Sequence, residues 1–236
     1  MRHNGRVPSS IFGDPEEWPP QDPIGLSEDL TLPLVVEGYR SGVFPMPVPR
    51  ELPHGIRFAW FCPPQRGILP LTNLRITRSL RKTAKRYRVS VDRRFTEVMT
   101  RCADPSRDGS WITDEIVAVY AGLHERGLAH SVEVWDDHDR LVGGLYGVGL
   151  GGLFAGESMF HDPEHGRDAS KVALIRLVEL LTEAGGERLL DVQWSTPHLA
   201  SLGVVEVDRA DYLARLDRVL PVSPPMWDST RLWRYS

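Results

Sequence analysis

Apolar positions recur at two different periods along this chain, and the changes of period delimit its elements. The spacing predicts a helix over 30–41, ended by Gly42. Gly42-Val43-Phe44-Pro45-Met46-Pro47-Val48-Pro49 holds too many prolines for a helix or a central strand, so it reads as extended chain. Short strands are expected over 56–61 and 67–70, then a basic helix over 79–87, a strand over 88–91 and a helix over 94–101. The turn-rich stretch 104–109 follows. Thr113 then reads as an N-cap with Asp114 and Glu115 in the first turn, and Ile116, Val119, Tyr120 and Leu123 keep helical spacing until Gly127. Strands are expected over 130–135, 141–148 and 152–156, with a turn at 136–139. The longest amphipathic helix is expected over 169–184, with Val172, Ile175, Leu177, Val178 and Leu181 facing a core, followed by a strand over 187–194 and a helix over 208–220. Residues 1–28, rich in Pro, Gly and acids, read as an arm with little regular structure.

This order, helix, meander of strands, helix, strand, is that of an α/β (α+β) domain with its ligand site at the sheet centre. The elements before residue 104 read as a small N-terminal module with the arm (1–104), and the rest as a larger domain (105–236). An apolar share of 41% over 236 residues is enough for a real core. Cys62 and Cys102 form no CxxC pair, which points to a reduced, cytoplasmic setting without a zinc knuckle or disulfide framework. The polar N-terminus carries no apolar signal core, and no stretch of about 18 uncharged apolar residues occurs, so neither secretion nor a membrane span is expected. The net charge of −4 excludes a protein coated with nucleic acid. Locally the balance reverses: between Arg75 and Arg94 nine basic residues face the single acid Asp92. Such a patch can meet phosphates, although a charge run is more often a solvated face.

Several motifs mislead. Gly147-Val148-Gly149-Leu150-Gly151-Gly152 matches G-x-G-x-x-G, yet strand-like sequence follows where a dinucleotide loop needs a helix, so it reads as a glycine-rich hairpin. Ser158 lacks the second glycine of a nucleophile elbow. His161-Asp162-Pro163-Glu164-His165 is broken by a proline that prevents both histidines from sharing a helical face, so no metal site is expected. Asp191, Ser195 and His198 have the residue types of a triad without the spacing.

On a strand, residues i and i+2 share a face, so Asp191 and Gln193 point together while Leu190, Val192 and Trp194 point to the core. A carboxylate and an amide inside a sheet cost several kcal/mol unless they are bonded or face a cleft. Bonds to neighbouring backbone would satisfy them without any chemistry. Glu157 adds a second carboxylate after the glycine-rich strands, where a surface-loop acid is an equally good reading.

The motifs Gly42-Val43-Phe44-Pro45, Trp60-Phe61-Cys62-Pro63, Arg78-Ser79-Leu80-Arg81-Lys82, Trp111-Ile112-Thr113, Ala129-His130-Ser131-Val132-Glu133, Gly156-Glu157-Ser158-Met159-Phe160, Ala169-Ser170-Lys171 and His198-Leu199-Ala200-Ser201-Leu202-Gly203 occur in one order. In this order, over roughly residues 30 to 213, the chain resembles the bacterial leucyl/phenylalanyl-tRNA protein transferases. The resemblance implies a GCN5-related acetyltransferase-like C-terminal domain behind a smaller N-terminal one. It also implies transfer of leucine or phenylalanine from aminoacyl-tRNA to the N-terminal Lys or Arg of an acceptor protein, by a monomer that needs no cofactor or metal. Asp191 and Gln193 match the family's pair proposed to assist the reaction, and Glu157 its cleft glutamate. Leu145 and Phe154 match its amino-acid pocket and Trp111 its tryptophan near the aminoacyl-adenosine, with Ser158, Trp60 and Met46 also counted as substrate contacts. Arg78, Arg81, Lys82, Lys85 and Arg86 are the expected tRNA contacts.

Departures from the family pattern fall on ligand contacts. Met46 stands where many members have tryptophan, Phe61 replaces the second of paired tryptophans, and 161–168 is enlarged. The expected chemistry is attack of a peptide α-amine on an already activated ester, with Asp191 orienting the amine or relaying its proton, Gln193 holding the reacting ends and Glu157 orienting the ammonium. The rivals are an acetyl-CoA-dependent N-acetyltransferase, which would need a phosphate loop where 156–168 offers acids and a proline, and a related transferase acting on N-terminal Asp or Glu.

Overall fold

In the computed structural model, residues 10–21, 23–48, 55–105 and 111–235 are described. The first nine residues of the expected arm, Pro49 and most of the expected 104–109 linker lie outside them.

Eight strands form one sheet. Its members are β4 (Gln65–Ile68), β5 (Arg88–Val91), β6 (Ala129–Trp135), β7 (Leu141–Leu150), β8 (Leu153–His161), β9 (Leu189–Gln193), β10 (Val205–Asp208) and β11 (Trp233–Arg234), in the order β10-β4-β9-β8-β7-β6-β5-β11. All pairings are antiparallel except β8 with β9. A parallel pair needs a long crossover, which here carries helix α5 (Ala169–Glu183). A separate three-stranded sheet joins β1 (Gly25–Ser27), β3 (Phe58–Phe61) and β2 (Phe44–Pro47).

The two faces of the large sheet carry two cores. On one, Tyr146, Ala155 and Phe160 pack with α1 (Leu32–Arg40), α3 (Phe95–Cys102), α4 (Asp114–His124), α7 (Arg209–Val219) and the small sheet. On the other, Val132, Val134, Leu145 and Phe154 pack with α2 (Arg78–Ala84), α5 and α6 (Pro197–Leu202). Local chemistry sets the helix starts: Thr31, Thr77, Thr113 and Thr196 each accept an amide hydrogen of the first turn. Gly42, at φ +81°, lets the chain leave α1 through the left-handed region.

Three expectations need correction. The third central strand does not stop at 156 but runs to His161, which puts Glu157 on a strand rather than in a loop. Strands β4 and β5, expected in a separate N-terminal module, belong to the large sheet. Trp194 does not follow Leu190 into the core; it is 41% exposed, because Gln193 takes φ +60° and turns the chain. The β10 strand and α6 were not anticipated, although Thr196-Pro197 and Gly203 are a legible helix start and stop.

Bulges interrupt the ladder at three places; one, at Val142 in the β6–β7 pair, lies away from Glu157 and Gln193, and the other two shape the sheet centre. Gly147 faces Gly156 while Tyr146 faces Ser158, so Glu157 is the extra residue of β8; Gly67 faces Gln193 while Ile68 faces Asp191, so Val192 is the extra residue of β9. Gly147 makes the bulge at Glu157 possible, because a Cβ there would lie 2.2 Å from the Ala155 carbonyl oxygen and 2.5 Å from the Phe154 ring. Gly147→Ala is therefore expected to destabilise the fold by about 1–3 kcal/mol through overpacking. Gly156→Ala, whose nearest neighbour would be 3.6 Å away, should cost less than about 1 kcal/mol. Urea midpoints measure both, and equal values would contradict this origin of the bulge.

Candidate active site

The parallel strands β8 and β9 pair only through Leu153–Leu189, Phe154–Leu190 and Ala155–Asp191, after which they part. Residues 156–159 and Val192, just beyond the last pair, are half-buried in an otherwise buried sheet centre. The parting thus opens a cleft lined by the two bulged segments, and Glu157 and Gln193 meet there.

Asp191 lies just behind the cleft with no exposed surface. Its Oδ1 accepts from Arg66 Nε at 2.8 Å and from the Gln193 backbone N–H at 2.9 Å, and its Oδ2 accepts from Arg66 Nη2 at 2.6 Å and the Tyr212 hydroxyl at 2.9 Å. Arg66, also fully buried, donates through Nη1 to the Gly42 carbonyl at 3.2 Å and lies between the rings of Phe44 and Tyr212, at 4.5 and 4.4 Å. Burial alone would lower the Arg66 pKa, but the adjacent carboxylate outweighs it and holds the guanidinium above its ordinary value. With four donors on its two oxygens, Asp191 has no lone pair directed at the cleft. It fixes the backbone of Gln193, whose left-handed φ needs such an anchor.

Glu157 is held by a different set of groups. The Tyr39 hydroxyl lies 2.7 Å from Glu157 Oε1 and 2.7 Å from the Tyr120 hydroxyl, and Gln193 Nε2 donates to the same Oε1 at 3.3 Å. Burial of the carboxyl raises its pKa to about 8; the Tyr39 hydrogen bond pulls it down and the Asp191 charge pushes it up. Burial first, and the Glu157 charge second, raise the phenols of Tyr39, Tyr120 and Tyr146 well above the ordinary tyrosine value, so they remain donors. Gln193 Nε2 is thereby engaged by Glu157, and no hydrogen bond to the Gln193 amide oxygen occurs among the described residues.

The other expected site residues fall into separate groups. Ser158 lies on β8 opposite Tyr146, at the cleft. Leu145 and Phe154 are packed against the α5 side, 4% and 0% exposed, with half-buried Met159 paired to Leu145. Trp60 is only 1% exposed, its indole donating to Ser27 Oγ at 3.0 Å and its ring packed on Phe12, so it is core of the small sheet. Met46 and Trp111 are partly buried against the first core. Arg78, Arg81, Lys82, Lys85 and Arg86 are all exposed on or just after α2, and none makes an ion pair among the described residues. Among the described residues no cluster of metal-ligating side chains occurs.

Arg66, Tyr39, Tyr212 and Trp194 escaped the sequence reading. A single arginine in a four-residue strand and tyrosines at core spacing carry no local signal of a shared network. Trp194, directly after Gln193, forms the cleft rim with its ring edge-on to Phe44 at 4.6 Å.

Residues 68–217 match the family model described as leucyl/phenylalanyl-tRNA protein transferase. The chain is 51% identical over 193 residues to the leucyl/phenylalanyl-tRNA protein transferase of Ruegeria sp., covering 81% of this chain and 87% of that one. To proteins of the same name it is 44% identical in Pseudoalteromonas atlantica, covering 87% and 88% of the two chains, and 47% identical in Salinibacter ruber, covering 86% and 85%. The solved structure of L-PGS from Bacillus licheniformis is similar only at a TM-score of 0.37 and 13% identity, over 70% of this chain and 54% of that one.

The raised pKa of Glu157 has a consequence for stability. Between its ordinary value of 4.5 and about 8 the folded state binds a proton that the unfolded chain has released. Glu157 therefore favours the fold fully below about pH 4.5, and that contribution is lost as the pH rises through about 8. In Glu157→Gln the decline in urea midpoint between pH 5 and pH 8 should flatten relative to the parent. Parallel pH profiles for the two proteins would show that Glu157 titrates normally.

Proposed function

The chain belongs to the leucyl/phenylalanyl-tRNA protein transferase family, and from that premise we propose that its cleft joins leucine or phenylalanine, carried as an ester on a tRNA 3′ end, to the N-terminal Lys or Arg of an acceptor protein. The observation that carries this reading is the pairing of Gln193 with Glu157 where β8 and β9 part.

The reaction forms a C–N bond to the aminoacyl carbonyl and breaks its bond to the ribose oxygen; the amine loses one proton and the ribose oxygen gains one. An α-amine has a reference pKa near 8, so a useful neutral fraction exists at neutral pH. The free amide oxygen of Gln193 accepts one N–H of that amine and aims its lone pair, which is catalysis by orientation. Glu157, with a pKa of about 8, binds or releases a proton near neutrality beside the same amide. Asp191 is a positioning residue here, acting through the Gln193 backbone. Ser158 borders the cleft, while Leu145 and Phe154, buried behind half-buried Met159 and Val192, are the apolar side chains we assign to the amino-acid pocket. Such a pocket separates side chains differing by a methylene by only about 1–3 kcal/mol, so leucine and phenylalanine are both accepted. Trp111 and Met46 flank the nucleotide, and the unpaired basic face of α2 meets the tRNA phosphates.

A GCN5-related fold for the larger part is supported by the parting of parallel strands at the sheet centre, with the acyl site between them. The division at 104/105 is a division of labour on this reading. The earlier part supplies Tyr39 and Arg66 around the site, and the later part supplies Glu157, Asp191 and Gln193. Acetyl-CoA is disfavoured as donor because Asp168, the N-cap of α5, puts a carboxylate where a pyrophosphate would need bare amides; it is paired with Lys171 at 2.7 Å. The buried cysteines Cys62 and Cys102, neither of them in a disulfide, support a reducing, cytoplasmic setting; on this reading the chain acts as a monomer. No helix among the described residues is long and apolar enough to cross a membrane.

A matrix of charged tRNAs against peptides beginning with Lys, Arg, Asp, Glu or Ala, scored by mass shift, tests the proposal. Addition of Leu or Phe confined to Lys and Arg starts is expected. Addition confined to acidic starts would overturn the acceptor assignment, and acetylation from acetyl-CoA in place of either would overturn the reaction.

A further inference from the structure

A second concavity, of about 450 Å³, lies beside β5, near the β11 edge of the large sheet, and is lined by Arg88, Arg93, Arg94, Trp135, Asp139 and Leu232. We propose that it is a phosphodiester-binding site for the body of the charged tRNA, distinct from the place that holds the ester-bearing end; it rests on the tRNA reading above.

Three guanidinium groups converge here against one carboxylate of the lining, and the backbone that presents them is fixed from beneath. Asp92 takes φ +54° between β5 and α3, its carboxylate accepting from the Ser131 N–H at 2.8 Å and bonded to His130 Nδ1 at 2.7 Å. Glu133, with no exposed surface, accepts the Arg94 backbone N–H at 3.3 Å and the hydroxyls of Ser90 and Ser131. Two acids are thus spent on holding the short turn that carries Arg93 and Arg94.

The guanidinium groups themselves are only partly used. Arg88 donates through Nη2 to the Asp136 carbonyl at 2.8 Å and to Asp139 Oδ1 at 2.7 Å, yet its Nε is buried without any hydrogen-bond partner. Arg93 donates Nε to the Ser229 carbonyl at 2.7 Å and Nη2 to the Thr230 carbonyl, which pins the C-terminal segment as one wall and leaves Nη1 over. Arg94 is exposed and faces Glu97 only at 4.0 Å, long for an ion pair. Trp135 gives its indole N–H to Ser90 Oγ at 2.8 Å and packs partly against the first core, so its ring is held in place while part of it stays exposed at the concavity. Arginine donors beside an aromatic wall suit a nucleic-acid backbone with its bases better than a bare anion.

Position agrees with this occupant. The row Ser158, Tyr146, Ser131 leads across the sheet from the cleft to Asp92, the residue just before the two arginines. β5 is three strands from β8, or about 14 Å at the usual spacing, too far for the nucleotide whose ester reacts at Gln193. The exposed basic face of α2 leads directly into β5, so both basic surfaces flank one strand.

The test compares the parent with Arg94→Ala, which keeps the backbone N–H bonded to Glu133. Affinity for full-length tRNA is measured across a salt series, with an aminoacylated 3′-terminal trinucleotide and inorganic phosphate as the other probes. Several-fold weaker tRNA binding is expected, with the log–log salt slope smaller by about one and trinucleotide affinity at the parent value. An unchanged slope, or an equal loss for the trinucleotide, would overturn the proposal. Loss of phosphate binding with tRNA affinity intact would make this a free-anion site and overturn it as well. Failure of the parent to transfer amino acids would sink the assigned reaction, whereas the salt slopes would still decide this site.

Discussion

Two charged side chains, Arg66 and Asp191, sit together in the middle of this protein without exposed surface. Removing both from water costs several kcal/mol for each ion, and their attraction offsets this only when geometry is good and the remaining donors and lone pairs are filled. Both conditions are met: the pair is bidentate, Tyr212 and the Gln193 amide complete the carboxylate, and the Gly42 carbonyl and two aromatic rings take the rest of the guanidinium. The pair ties β4, the end of α1 and α7 to the last turn of β9. Such a device is weak evidence for stability, and its value lies in fixing one geometry among several.

The geometry it fixes is that of a sheet opened at its centre. β9 leaves its parallel partner after Asp191, and the extra residues of β8 and β9 re-aim the chain so that Glu157 and Gln193 face each other. Glycines at 147 and 67 are required for this, since a Cβ at Gly67 would lie 2.9 Å from the Trp194 carbonyl carbon. Hydrophobic packing on both faces leaves the parted segment half-buried at the sheet centre, so polar chemistry there is confined to a few residues where water is largely excluded and hydrogen bonds are strengthened.

Periodicity made the long elements legible. α4, α5 and α7 lie within a residue or two of the expected spans because caps and apolar stripes agree there. What could not be read were effects that depend on distant partners. Glu157 was ambiguous because a bulge has no local signature beyond its glycines, and Trp194 was misassigned because strict alternation assumes that no residue takes a positive φ. Asp191 and Gln193 stood out by their polarity on a core strand, while the roles expected of them came from the resemblance. The task of Asp191 was not legible, since Arg66 lies 125 positions away in sequence. Trp60, a motif residue, is buried in the small sheet and bonded to Ser27 Oγ, a setting that its motif alone did not reveal.

The account stands or falls on whether Asp191 positions Gln193 or itself takes the proton. The most direct measurement is the pH dependence of single-turnover transfer by Asp191→Asn from Phe-tRNA to an Arg-starting peptide, beside that of the parent. A positioning role predicts a lower rate at every pH with the titrating limbs retained, the Glu157 limb moved to lower pH because the Asp191 charge no longer raises it. Disappearance of a titrating limb in Asp191→Asn, with Gln193 still in place, would contradict it and make Asp191 the base.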